Sequence, residues 1–348
     1  MNQTATFKCP SCGGYLEYDP AGQRFLCPYC GASFNEEELR EQSEAKEQEA
    51  QAARAAQSGS LRSYHCQSCG AEIVTDDTTG ATRCYYCHSP VVLSDRFADE
   101  FRPDGVIPFH LDRKQAEEQF DRFVKSKRFI DKKFFTPEQL EDFSGVYYPY
   151  WFADVQGDAS FDGEGTRVDV ATGPKKTVTT TRFFHVEREG RLSFRNIARK
   201  ALSKADRLLS DGVHPYDTAE AKPFAMGYLS GFLAEKRDVE AEAVRPEMLQ
   251  EAEGYADILM KDNGNYNSLN GRTKFTPGKT AMRYMLLPAW VLTYKGGRDG
   301  KPYFFMMNGQ TGNVCGKLPV DKGKLLLTCL LTGAAVFALL CLGGKFIW

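Results

Sequence analysis

Eight cysteines fall in four C-x-x-C pairs: Cys9 and Cys12, Cys27 and Cys30, Cys66 and Cys69, Cys84 and Cys87. A tight C-x-x-C turn points two sulfurs the same way. Two such turns supply the corners of a tetrahedral Zn²⁺ site with Zn–S distances of about 2.3 Å. Both sets read C-x2-C-x14-C-x2-C, and the second repeats the first at an offset of 57 residues. Four thiolates close the coordination shell, so two Zn²⁺ ions are expected and both should be structural rather than catalytic. Gly13, Gly31 and Gly70 follow the second cysteine of three pairs, where the turn often needs a positive φ. His88 takes that position in the fourth. Cys84-Tyr-Tyr-Cys87-His88 also fits the c-type haem pattern, but its matched cysteines upstream read as a zinc set, and haem attachment needs an export signal. Met1 to Lys8 is polar with no apolar core. Paired thiols without such a signal read as metal ligands in a reducing cytosol rather than as disulfides.

Motifs for other chemistry are missing. Gly278-Lys279-Thr280 resembles the end of a phosphate-binding loop, but Thr273 stands where that loop requires glycine. There is no G-x-S-x-G, H-E-x-x-H or G-x-G-x-x-G. His110, His185 and His214 are scattered and read as ordinary structural histidines, so no enzymatic activity is expected. Two basic runs stand out. One is Arg122, Lys125, Lys127, Arg128, Lys132 and Lys133. The other is Arg188, Arg191, Arg195, Arg199, Lys200, Lys204 and Arg207. A solvated face is the plainer reading of both, and contact with anionic lipid the sharper one.

The elements that must position the cysteines follow from the pattern. Each x14 segment holds a short alternating run, Tyr15–Asp19 or Glu72–Asp76, then a turn and a return strand. That is a hairpin clasped at its base by metal. Residues 1–34 form the first expected zinc ribbon and 61–95 the second. Between them, 35–60 reads as a helical spacer that opens on a capping box of Asn35 and Glu38, with a mobile linker as the alternative. Residues 101–320 read as a cytosolic mixed α+β body, so the fold class is α+β. Asp112 to Lys127 is a predicted helix with Ala116, Phe120, Phe123 and Val124 on one side. Strands are expected at Val146–Val155, Thr177–Glu187, Met285–Tyr294 and Tyr303–Met307. Phe135-Thr-Pro137 leads to Pro149-Tyr-Trp151 much as Phe275-Thr-Pro277 leads to Pro288-Ala-Trp290. A duplicated unit over about 106–165 and 245–316 would explain this; so would chance, since proline and aromatics are common in strands.

Of the 348 residues, 42% are hydrophobic and 26% charged, which excludes wholesale disorder. Residues 1–100 carry 8 basic and 15 acidic side chains. An acidic module repels phosphate backbones, so nucleic acid is a poor partner, and a membrane-tethered nucleic-acid-binding protein is the second reading. Leu325 to Gly344 contains no charge. As a helix it is about 30 Å long, the thickness of a bilayer core, so residues 325–344 form an expected single transmembrane span. Lys317, Lys322 and Lys324 before it favour a cytosolic N-terminal part. Small residues four apart, Cys329 with Gly333 and Ala334 with Ala338, would suit homo- or hetero-oligomer contacts within the membrane.

The cysteine sets resemble TFIIB-type zinc ribbons. The whole chain is similar to bacterial TFIIB-type zinc-ribbon membrane proteins encoded beside SPFH-domain (flotillin-like) and phage-shock-protein-A-like proteins. The resemblance rests on those sets and on Val106-Ile-Pro-Phe109, Gly145–Trp151, Tyr228–Lys236, Leu287–Trp290 and Asn308–Gly312. It implies a membrane-bound adaptor that recruits an SPFH-domain or phage-shock-type partner during envelope stress.

Overall fold

The structure is a computed structural model. It describes residues 8–39, 62–65, 72–75, 78–83, 90–93, 101–129, 143–174, 176–205, 207–262, 264–295, 302–316 and 320–347. The chain is a mixed α+β protein with a four-cysteine cluster at its N-terminal end and one long apolar helix at its C-terminal end. Strands β1 (Glu17–Asp19), β2 (Arg24–Leu26) and β3 (Ser33–Phe34) form a small antiparallel sheet. The capping box forms as expected: Asn35 and Glu38 exchange bonds of 2.9 and 2.8 Å, and residues 36–39 are helical. The rest of the spacer lies outside the described residues.

Strands β4 (Arg62–His65) and β5 (Glu72–Thr75) pair with each other. Strands β6 (Thr79–Arg83) and β7 (Pro90–Val92) pair with each other and also enter the ten-stranded sheet of the body. The boundary expected at 95 is therefore crossed by main-chain bonding. Strand β6 starts at Thr79 and bonds to the body strand β12 (Leu233–Glu235).

The sheet is built around two long strands, β9 (Ser144–Thr172) and β13 (Ser268–Lys295), paired antiparallel over most of their length. Strand β8 (Gly105–Val106) runs parallel to β13, and β12 parallel to β9. Outside them, β11 (Lys222–Pro223) and β6 pair antiparallel. The order β11-β8-β13-β9-β12-β6 thus has the same sequence of strand directions from either end. Trp290 Nε1 donates to Leu111 O at 3.1 Å and Trp151 Nε1 to Val239 O at 2.9 Å. Each indole thereby satisfies its donor on the chain just ahead of a helix.

Those helices are α1 (Arg113–Ser126) and, after the short α2 (Arg207–Gly212), α3 (Ala241–Met260). Asp112 caps α1, which buries Ala116, Phe120 and Val124 as the 3.6-residue period requires. Under α1 the core is aromatic. Phe109 stacks on Phe232 at 4.2 Å and meets Trp290 edge-on at 5.2 Å, while Phe143 stacks on Trp290 at 5.3 Å. Such ring pairs contribute about 0.5–1.5 kcal/mol each beyond the area they bury.

Beyond the core, β9 continues as the middle strand of an arm, with β13 on one side and β10 (Thr177–Lys200) on the other. The expected strands at Val146–Val155 and Thr177–Glu187 extend to 29 and 24 residues. Glycines hide this continuation in the sequence, because they read as turns. At Gly163 a Cβ would meet Asn270 O at 2.3 Å, so glycine lets the two strands approach, and the Phe161 ring covers the gap. Helix α3 lies along one face of the arm and buries Met248, Ala252, Ala256 and Met260, every fourth residue.

Strands β14 (Pro302–Asn308) and β15 (Val314–Gly316) complete the sheet. Helix α4 (Lys322–Ile347) follows; Asp321 caps its N-terminus by accepting from Gly323 N and Lys324 N at 3.0 and 3.1 Å. Within α4, Gly323–Cys341 is long and apolar enough to cross a membrane, and none of it is buried. A core helix would be covered; this one is not.

Candidate metal centre

The sulfurs of Cys9, Cys12, Cys27 and Cys30 all lie within 4.8 Å of one another. The two knuckles that hold them are built alike. Cys9 N donates to Gly14 O and Cys27 N to Ala32 O; Gly13 N donates to Cys9 O and Gly31 N to Cys27 O. Gly13 and Gly31 adopt φ of 76° and 73°, the left-handed conformation expected of them. Cys9 and Cys30 are 3.6 Å apart, and Cys12 and Cys27 3.5 Å. A tetrahedron with 2.3 Å metal–sulfur bonds has edges of about 3.8 Å, so these two edges match a metal ion to within a few tenths of an ångström. They are free thiols, too far apart to be disulfides.

Electrostatics point the same way. Burial opposes ionisation of Cys9, but the backbone N–H groups of Cys12 and Ser11, helped by the adjoining thiols, bring it down to about 7. At Cys12 the N–H of Gly14 favours the thiolate, yet the neighbouring sulfurs outweigh it and push the thiol up to about 12. Four sulfurs this close cannot all ionise without a cation to compensate them.

The cluster is seated on the body. Cys9, Leu16, Tyr18, Phe25 and Cys27 share one apolar core with Phe109, Tyr147, Tyr228 and Phe232. Tyr228 donates to Glu36 at 2.6 Å, Tyr18 N to Ser230 O at 3.1 Å, Gln23 Nε2 to Phe109 O at 2.7 Å, and Ser230 Oγ to Leu16 O. Cys9 and Cys27 are buried, whereas Cys12 and Cys30 face solvent. No local pattern announces this docking, because its contacts join residues 86 to 214 positions apart.

Cys66, Cys69, Cys84 and Cys87 lie outside the described residues, but the strands beside them carry information. Lys8 bridges Tyr15 around the first knuckle, and His65 pairs Glu72 around the third. Phe25 and Leu26 pair Phe34 and Ser33; Thr82 and Arg83 pair Val91 and Pro90. These three pairings of the second copy are those of the first shifted by the cysteine offset, whereas the β1–β2 hairpin has no counterpart among the described residues: β5 pairs β4, and β6 pairs β7 and β12.

A second group, Asp162, His185 and Glu187, also has ligand atoms within 4.8 Å, all exposed. Sequence reading missed it because only the β9–β10 register joins these residues. Glu187 accepts from His185 at 3.0 Å and, with Asp162, raises the proton affinity of its ring. Gly278–Thr280 lies on β13 at a bulge, not in a phosphate loop. In the second basic run most charges are engaged: Arg188 donates to Met260 O and Asp262 O at the end of α3, Arg191 pairs Asp158, Arg199 pairs Glu247 and Glu251, and Arg207 pairs Asp211. In the first, Lys125 pairs Asp121, while Lys132 and Lys133 lie outside the described residues.

His110 lies 3.2 Å from Glu220. His214 packs edge-on to Tyr150 and Tyr216. Burial, reinforced by Arg199 and opposed by Asp211, holds its ring below the usual histidine range. The folded chain therefore binds less proton there than the unfolded chain. Its contribution should be intact above the unfolded value of about pH 6.5 and be lost below it, as pH falls through the lower folded value. Thermal melting of the wild-type chain and His214→Gln should converge as pH drops from 7 to 5; parallel curves would refute the assignment.

The molecule thus belongs to a class with a cysteine-clustered N-terminal module on a mixed α+β body, followed by an apolar C-terminal helix. No family model and no solved structure matches the chain. It is 30% identical over 323 residues to a Bacillus subtilis (strain 168) protein described as "Uncharacterized protein YdjG", covering 92% of each chain. The chain belongs to the same family as that protein.

Proposed function

We propose that the chain is a non-enzymatic scaffold that recruits a protein partner to the cytosolic face of a membrane, with two structural Zn²⁺ ions organising its N-terminal modules. One observation carries this reading. The cysteine module and body share a single core, while α4 exposes its entire apolar span and begins where the body ends. A rigid surface joined to an uncovered apolar helix is the build of a tethered docking platform. The shifted strand register around Cys66 to Cys87 supports a second zinc ribbon. The like order of strand directions from either end, together with the paired roles of Trp151 and Trp290, supports an internal duplication in the body. A groove of about 570 Å³ beside α2 is lined by Arg199, Arg207 and their carboxylate partners. Its charges are largely spent on one another, which favours a structural role.

The partner class rests on the resemblance described above: an SPFH-domain or phage-shock-protein-A-like protein, engaged during envelope stress. The lysines before α4 favour an N-terminal part in the cytosol. The full chain, extracted in mild detergent, should retain a co-expressed partner of either kind, and a chain lacking residues 1–95 should retain at least tenfold less. Equal retention would count against the ribbons as the organising surface.

A further inference from the structure

The arm has two faces. Ala159, Phe161, Val186 and Leu269 face α3 and are buried with Met260. Residues that alternate with them point the other way, and among the described residues no element covers that side. Near the tip this face is apolar: Val168 is 37% exposed, Val170 62% and Phe183 74%. Nearer the base it is charged, with one sign on each edge. One row across the strands reads Glu187, Asp162, Arg272, and the next reads Glu189, Ser160, Lys274. In these two rows β10 is acidic and β13 basic; in the row below, Arg191 of β10 is paired with Asp158 of β9.

We propose that this face is the interface between two copies of the chain, packed face to face about a two-fold axis running along the arm. That axis sets β10 of one copy over β13 of the other at the same level. Glu187 and Glu189 then meet Arg272 and Lys274 of the second copy twice over, and the apolar tips cover each other. No salt bridge engages Glu189, Arg272 or Lys274 within the chain among the described residues. The Asp162 carboxylates face each other at the axis, each with its own His185 at 3.8 Å. Membrane geometry selects the same axis. Helix α4 begins beside Phe129, close to the base strands β14 and β15 and at the opposite end of β13 from the tip. An axis along the strands sets both anchors at one end, where they can enter one bilayer. Edge-to-edge antiparallel pairing of β10 would put them at opposite ends.

The face spans roughly 43 Å by 14 Å, about 600 Å² per copy. A stable interface usually needs about 800 Å² per partner. Association should therefore depend on the concentration that shared anchoring provides, and to that extent the inference rests on the membrane reading.

The test is cross-linking of the full chain in membranes with a short bis-maleimide, on a Cys329→Ala, Cys341→Ala background. Val170→Cys should form a dimer band at least fivefold stronger than Ala171→Cys, which lies on the opposite face. Adding Glu189→Lys to the Val170→Cys chain should reduce the band at least fivefold, and adding Lys274→Glu as well should restore it. Unchanged metal content and melting of each variant show that it is folded. Equal cross-linking at 170 and 171, or a double exchange no better than the single one, would overturn the proposal. Partner recruitment is not read in this assay, so its failure and that of the scaffold reading remain distinct.

Discussion

Replacing Cys27 with Ser is expected to empty the first metal site and to unseat residues 8–39 from the body. Structural Zn²⁺ in such small modules supplies roughly 10–16 kcal/mol at neutral pH, as much as the whole stability of an ordinary domain. Strands of two and three residues give the module little internal support once a metal ion is lost. Cys27 is 1% exposed and lies in the same core as Tyr228 and Phe232, so the damage should not stop at the module. Residues 226–235 lose the bonds from Tyr228 to Glu36 and from Ser230 to Leu16. Elemental analysis should show one metal ion fewer per chain than wild type. Hydrogen exchange should speed up at least a hundredfold in 8–39 and measurably in 226–235. Core strands such as 284–292 should stay protected. Unchanged metal content, or fast exchange confined to 8–39, would contradict the shared core.

Removing residues 322–348 should move the protein almost wholly from the membrane fraction to the soluble fraction without loosening the fold. Helix α4 leaves Leu326, Leu330, Leu331, Phe337, Leu339 and Leu340 more than 60% exposed. Keeping one such side chain in water costs about 1.5–3 kcal/mol. Among the described residues the body loses no buried side chain when α4 is removed, since none of Gly323–Cys341 is buried. Ultracentrifugation of lysates gives the distribution, and the melting temperature of the released chain should lie within about 2 °C of the full chain in detergent. Truncated protein that stays on washed membranes would show a second attachment, with the remaining basic side chains the first suspects.

How much of this was legible beforehand differs by element. Knuckles, caps and the terminal span are local: spacing puts Cys9 beside Cys12, Asp112 caps α1, and an uncharged run of apolar residues identifies α4. The arm was only half legible. The alternation of Val155, Ala159 and Phe161 with Asp158, Ser160 and Asp162 has the period of a strand, but the glycines between them imitate turns. Docking was not legible at all. Nothing near Leu16 or Tyr18 announces Ser230, and Phe109 reads as one more apolar residue until Phe232 stacks on it. Asp162 and His185 likewise meet only through a register that the hairpin imposes.

Recruitment of a partner to the membrane is tested most directly by imaging. A fluorescently tagged SPFH-domain or phage-shock-type partner would be followed in cells carrying the full chain, the chain without residues 1–95, or the chain without residues 322–348. Membrane foci are expected with the full chain, weakened foci without the N-terminal modules, and diffuse fluorescence without the anchor. The same distribution of each candidate partner in all three strains would contradict recruitment.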